Sequence, residues 1–254
     1  MEVETEEHGR ILVVAINRPE KRNAVDLKTA SLLASTFERF DEDDRFDVAV
    51  LTGYGGTFCA GFDLKEFANI DADRLSQENK GPMGPTRMRL SKPVIAAIEG
   101  YAVAGGMELA LWCDFRVASG TATLGIFCRR FGVPLVDLGT IRLPRLIGHS
   151  RAMDLILTGR AVSADEALGM GLVNRVASPG EALSAALVLA KEIAAFPQLC
   201  MRNDRLSALE QWDFGEDEAI ENEFKRGVAT LKSGESKSGA AAFDAGKGRH
   251  GKFS

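Results

Sequence analysis

The feature that most constrains this chain is its alternation of short β-branched runs with glycine-rich handovers and helix-patterned stretches. Ile11 to Asn17 (ILVVAIN) is closed by Arg18-Pro19, and Val48 to Thr52 (VAVLT) by Gly53-Tyr54-Gly55-Gly56; both read as buried strands. Between them Asp26 is placed to cap a helix whose apolar positions Leu27, Leu32, Leu33, Phe37 and Phe40 recur at helical spacing, with Asp41 to Asp44 following as a solvated loop. Lys92-Pro93 opens a third apolar run, Val94 to Ile98. Phe115 to Ala118 forms a fourth, and a helix starts near Gly105-Gly106 between them. Strands alternating with helices predict an α/β architecture. From about residue 145 the pattern turns helical: Ser150 to Thr158 stopped by Gly159, a capping box Ser163-Ala-Asp-Glu166, and Glu181 to Phe196 ended by Pro197. The division expected is a core over 1–195 and a helical region over 196–254. Residues 71–90 read as a long loop, and the tail from Ser233 as Gly/Ser/Lys-rich around one apolar group, Ala240 to Phe243.

A chain of 254 residues with 45% hydrophobic content can bury a full core. Its net charge of -5 comes from 31 basic and 36 acidic residues mixed along the sequence, without the basic block that would track nucleic acid. The longest apolar stretch, Val94 to Phe115, is interrupted by Glu99, Glu108 and glycines, so a membrane span is not expected. The acidic start lacks the basic and apolar parts of a signal peptide, which points to a cytoplasmic location. Cys59, Cys113, Cys128 and Cys200 show no metal-like spacing, so neither zinc nor disulfides are expected. The three histidines, His8, His149 and His250, stand outside any glycine-rich context, which leaves carboxylates as the first suspects for acid/base work.

Two segments put glycine where a strand hands over to a helix: Phe58-Cys-Ala-Gly-Phe-Asp-Leu64 and Gly100-Tyr-Ala-Val-Ala-Gly-Gly-Met-Glu-Leu109. Each can leave backbone N–H groups unengaged at a helix N-terminus, and two such sites facing each other would hold an oxyanion. Either alone is equally a tight turn or a close packing contact. Glu108, three residues after Gly105, would project from the first helical turn beside those amides, as a base for an α-proton or as a carboxylate complementing the helix dipole. Asp63 and Asp114 each open or precede an element, and capping is favoured over catalysis for both.

The ordered set of motifs resembles the crotonase (enoyl-CoA hydratase/isomerase) superfamily from end to end. It comprises Asn17-Arg-Pro19 with Asn23-Ala24, the two glycine segments, Cys113-Asp-Phe-Arg-Val-Ala-Ser119, Phe131-Gly-Val-Pro134, Gly139-Thr140, Arg145-Leu-Ile-Gly148 and Gly171-Leu-Val-Asn174. The resemblance implies a spiral of strand-strand-helix units with a helical C-terminal trimerisation region, assembled as a homotrimer or homohexamer. It implies an oxyanion hole from the amides of Ala60 and Gly105. It also implies an acyl-CoA thioester as substrate, lying along Arg22, Ala24, Gly61, Phe62, Asp63, Leu64, Ala104 and Pro134, with Phe243 and Lys247 reaching in from the C-terminal helix or a neighbouring subunit. No separate cofactor is implied, since coenzyme A enters as part of the substrate.

One position departs from that pattern. Hydratases of the family use two glutamates; Glu108 aligns with the first, but Cys128 holds the place of the second, and a thiol of pKa about 8.5 substitutes poorly for a carboxyl group. Asp137, flanked by apolar residues, is the replacement carboxylate expected, with a helix cap as the competing role. Arg129 and Arg130 read as surface or interface groups, or as partners for Asp137 or a substrate acid. The leading expectation is hydration of a 2-enoyl-CoA with Glu108 and Asp137 managing the protons. Its rivals are a one-base double-bond isomerase, which a single glutamate suits, and a catalytically weak acyl-CoA binding protein.

Overall fold

In the computed structural model the described residues are 1–67 and 80–248. The expected 71–90 loop therefore lies partly outside them. Two compact units divide the chain, Met1–Lys191 and Glu192–Ser254.

The first unit holds two sheets. The larger runs in the order β1 (Val3–His8), β2 (Ile11–Ile16), β3 (Val48–Gly53), β4 (Val94–Ile98), β6 (Phe115–Ser119), β9 (Arg175–Ala177), parallel except for the β1–β2 hairpin. The smaller joins β5 (Tyr101–Val103), β7 (Thr123–Gly125) and β8 (Ala161–Ser163). β4 is followed directly by β5, and β6 by β7, so each of these turns of chain gives one strand to each sheet. Every residue of β2, β3 and β4 is buried, as expected for parallel strands covered on both faces.

Helix α1 (Leu27–Glu42) begins where expected: the Asp26 carboxylate accepts the Thr29 N–H at 2.8 Å. It buries Leu33, Phe37 and Phe40, and Phe37 meets Trp112 edge-on at 4.8 Å. The acidic cluster at its end is not merely solvated. Asp41 accepts from the N–H and hydroxyl of Ser91 at 2.8 and 2.9 Å, and the buried Lys92 ammonium donates to the carbonyls of Phe40 and Asp43 at 3.0 and 2.9 Å. The charged side chains thereby satisfy backbone groups at the helix end and pin the approach to β4.

The remaining helices of this unit are α2 (Leu64–Phe67), α3 (Gly105–Trp112), α4 (Gly139–Ile147), α5 (His149–Thr158), α6 (Ala164–Gly169) and α7 (Ala182–Ala194), whose last residues belong to the second unit. Ser163 caps α6 through the Glu166 N–H, and left-handed Gly159 ends α5, both as the sequence predicts. The short strands β1, β5, β7, β8 and β9 escape a reading of apolar runs, being three residues long or polar on one side.

The second unit contains α8 (Gln198–Glu210), α9 (Glu216–Ser233) and α10 (Glu235–Asp244). The Gly/Ser/Lys-rich stretch after Ser233 is helical over Glu235–Asp244: left-handed Gly234 ends α9, and Glu235 accepts the N–H groups of Leu199 and Cys200 at the start of α8. Among the described residues no single helix is long and apolar enough to cross a membrane, and the four cysteines are free thiols.

Candidate active site

The two glycine segments are neighbours. Phe58 and Cys59 donate to the carbonyls of Glu99 and Tyr101 at 2.8 and 2.9 Å, and Val103 donates back to Cys59 at 3.1 Å, so 58–59 lies as an added strand beside β5. Glycine is required at this approach. A Cβ on Gly106 would stand 2.2 Å from the Cys59 carbonyl oxygen. One on Gly61, already at φ +103, would stand 3.0 Å from the Gly105 nitrogen. Ala104, immediately before α3, has φ 54 and ψ -125, a conformation an L-residue adopts only when its surroundings impose it. It turns the chain so that the first residue of α3, Gly105, lies beside Gly61; among the described residues its N–H has no acceptor.

The other expected amide must be corrected. The Ala60 N–H donates to the Arg22 carbonyl at 3.0 Å and is not available to a ligand. Arg22 and Asn23 are both left-handed, at φ 52 and 55, and this bend brings the Arg22 carbonyl to Ala60. Two residues later, Val25 forms a parallel bridge with Phe62, donating to the Gly61 carbonyl and accepting from the Asp63 N–H, each at 2.8 Å. In that register the Phe62 amide is directed away from Val25.

Around these segments is a cavity of about 320 Å³. Of the expected site residues, Arg22, Ala60, Phe62, Leu64, Ala104, Gly105, Glu108, Pro134 and Asp137 line it, as does Cys128. Gly61 and Ala24 do not; Ala24 instead accepts from the Arg18 guanidinium through its carbonyl. Asp63 is a turn-former, accepting the Lys65 N–H at 3.1 Å and pairing with Lys21 at 3.4 Å. Asp114 likewise holds the Val94 N–H, at 2.8 Å. Phe243 is an exposed residue of α10 and Lys247 follows that helix, both in the second unit.

Glu108 is 2% exposed, on the first turn of α3. One oxygen, Oε1, accepts two backbone N–H groups, from Asp137 at 2.9 Å and Gly139 at 2.8 Å, an arrangement made by left-handed Leu138 between them. Among the described residues the other oxygen accepts no hydrogen bond. Burial, and then the charge of Asp137, push the Glu108 pKa up to about 8, against the lowering effect of the two amides. Such a carboxyl exchanges a proton near neutral pH.

Asp137 caps no helix: α4 begins at Gly139 after the N-cap residue Leu138, and no side chain caps it. Its carboxylate accepts the Met83 N–H at 3.0 Å and the Thr86 hydroxyl. Burial raises its pKa, opposed by those bonds and by Arg87 and Arg142. Arg142, pulled down to about 10 chiefly by burial, donates to the carbonyls of Thr86 and Asp137 at 2.7 and 3.3 Å. The arginines near Asp137 are thus not Arg129 and Arg130, which tie their 3-10 turn to the carbonyls of Ile156 and Gly159. Cys128 is buried, and both burial and the Glu108 charge raise its pKa, so the thiol stays protonated at neutral pH. Met83, Thr86, Leu138 and Arg142 went unnoticed in the sequence, where nothing links 83–86 to 137–142.

Comparison with known proteins agrees with this geometry. The family model for enoyl-CoA hydratase/isomerase matches residues 6–248. The chain is 37% identical to enoyl-CoA hydratase EchA19 of Mycobacterium tuberculosis over 94% of its own length and 91% of that protein's. It is 39% identical to the mevalonyl-coenzyme A hydratase sidH of Aspergillus fumigatus, over 72% and 69% of the two chains. The crystal structure of enoyl-CoA hydratase EchA1 from Mycobacterium marinum superposes with a TM-score of 0.91 at 39% identity, covering 96% of each chain. With the paired glycine segments, the buried glutamate and this match over nearly its whole length, the chain belongs to the enoyl-CoA hydratase/isomerase family.

Proposed function

We propose that this protein hydrates a 2-enoyl-CoA thioester with Glu108 as its one proton-transferring residue. The observation that carries this reading is the Glu108 carboxylate: buried in the cavity wall, held by two amides through one oxygen, and shifted to about 8. The amides of Phe62 and Gly105 polarise the thioester carbonyl. The Glu108 carboxylate takes a proton from water as the hydroxyl oxygen adds to C3. The C2=C3 electron pair moves into the thioester, and the resulting enolate oxygen is stabilised by the two amides. Glu108 then returns its proton to C2, so one water is consumed and the enzyme is unchanged. Cys128, a neutral thiol, takes no proton in this scheme.

A one-base isomerisation is the second reading, favoured by Cys128 at the position of the second acid: Glu108 would remove a proton at C2 and deliver it at C4. The test is mass spectrometry of the products after incubation with 2-enoyl- and 3-enoyl-CoA thioesters of graded chain length. Gain of 18 mass units, lost in Glu108→Gln, supports hydration; positional isomers without water gain would replace it by isomerisation.

We further propose that the second unit serves oligomerisation in a homotrimer or homohexamer, working in the cytoplasm. Supporting this are Ile220, Phe224 and Leu231, exposed along one stripe of α9. Phe243 and Lys247 are then residues offered to a neighbouring subunit's coenzyme A.

A further inference from the structure

The Asp137 carboxylate is buried at the cavity, yet its bonded oxygen faces the turn at 81–86 and not Glu108. Gly81 lies so close that a Cβ there would stand 2.7 Å from Asp137 Oδ1. Gly84, at φ +98, is pressed against α1, where a Cβ would meet the Ala30 carbonyl oxygen at 2.6 Å. The turn is therefore fixed on two sides, by α1 and by Asp137. Between these fixed points Met83, 1% exposed, lays its side chain against Gly105: Sδ, Cγ and Cε lie 2.6, 3.0 and 3.2 Å from where a Cβ on Gly105 would be. Met83 also lines the cavity. Its thioether thus fills the space beside the α3 amide proposed to hold the thioester oxygen, and the α-carbon of an acyl group bound there would lie only two bonds from that oxygen.

We propose that Met83 determines specificity by excluding substituents at the α-carbon of the acyl group, and that Asp137 is a positioning residue that seats Met83 through its N–H and the Thr86 hydroxyl. The substrates are then thioesters unbranched at C2. This inference rests on the acyl-CoA hydratase reading, and it assigns Asp137 a task other than proton transfer. Asparagine keeps the carbonyl oxygen that accepts both bonds, whereas alanine removes it. A single methyl group admitted or refused in an apolar pocket changes selectivity by about tenfold or more.

The experiment measures two quantities on the full chain and on Met83→Ala, Asp137→Ala and Asp137→Asn, each checked for folding by circular dichroism. One is the ratio of Kd values for butanoyl-CoA and 2-methylbutanoyl-CoA, which needs no turnover. The other is the ratio of kcat/KM for crotonyl-CoA and its 2-methyl analogue. Met83→Ala is expected to shift both ratios about tenfold toward the branched compound, Asp137→Ala in the same direction, and Asp137→Asn to hold the wild-type Kd ratio. An unchanged Kd ratio in Met83→Ala overturns the proposal. A shift in Met83→Ala with none in folded Asp137→Ala overturns the positioning role. Wild-type protein that binds with the expected ratios but adds no water refutes the hydratase reading and leaves the assignment of Met83 supported.

Discussion

Asp137 holds Glu108 by its backbone: its N–H donates to Glu108 Oε1 at 2.9 Å, while its own carboxylate accepts the Met83 N–H at 3.0 Å. The residue that the sequence offers as a second acid acts here on the first one, orienting it by a hydrogen bond and raising its proton affinity by its charge.

Replacing Glu108 by glutamine keeps an acceptor for both amides and removes the titrating group. The expected loss in kcat is about 10²–10⁴-fold with circular dichroism unchanged. A rate within tenfold of wild type would remove Glu108 from the reaction.

The same substitution has a pH-dependent effect on stability. The folded protein binds the Glu108 proton more tightly than the unfolded chain does, with a pKa of about 8 against an ordinary 4.5. The stability contribution is full below 4.5 and is lost as pH rises through about 8. Glu108→Gln escapes that loss, so its Tm relative to wild type should be higher at pH 9 than at pH 5, by the equivalent of on the order of 2–4 kcal/mol. Parallel melting curves at the two pH values would contradict the buried, proton-binding state.

Activity that depends on ionised Glu108 should rise with pH through a midpoint near 8. Asp137→Asn removes a neighbouring negative charge, so the midpoint should move to lower pH. The profile of kcat/KM reads this directly, and an upward move would contradict the electrostatic relationship between the two residues.

Gly61 has φ +103, and a Cβ there would lie 2.9 Å from Ala104 Cβ and 3.0 Å from the Gly105 nitrogen. Gly61→Ala should force the two glycine segments apart and lower kcat by about 10²–10³-fold, the effect of losing one oxyanion donor. A rise in KM alone, with kcat maintained, would place the oxyanion site elsewhere.

Cys128 is buried, and its thiol is held neutral. Cys128→Ala should retain most of the wild-type kcat, and iodoacetamide should label this position slowly in the native protein. A loss beyond about tenfold, or 1.4 kcal/mol in the barrier, would make the thiol a participant.

Local order of residues determined much of this protein. The apolar runs at 11–17, 48–52 and 94–98, the Asp26 and Ser163 caps and the Gly159 stop all became the expected elements, because periodicity and capping depend on residues within a turn or two of one another. The glycine segments and Glu108 were legible for the same reason: the Gly105 amide and the Glu108 carboxylate share one strand-to-helix turn. Tertiary structure decided which amide is engaged and what Asp137 does. Ala60 donates to Arg22, far back along the chain, and Asp137 reaches Met83 and Thr86 more than fifty residues away. A hydrogen bond between distant segments leaves no periodic trace in sequence. Its partners are chosen by the packing of the sheets and helices that carry them, and only the folded chain brings them together.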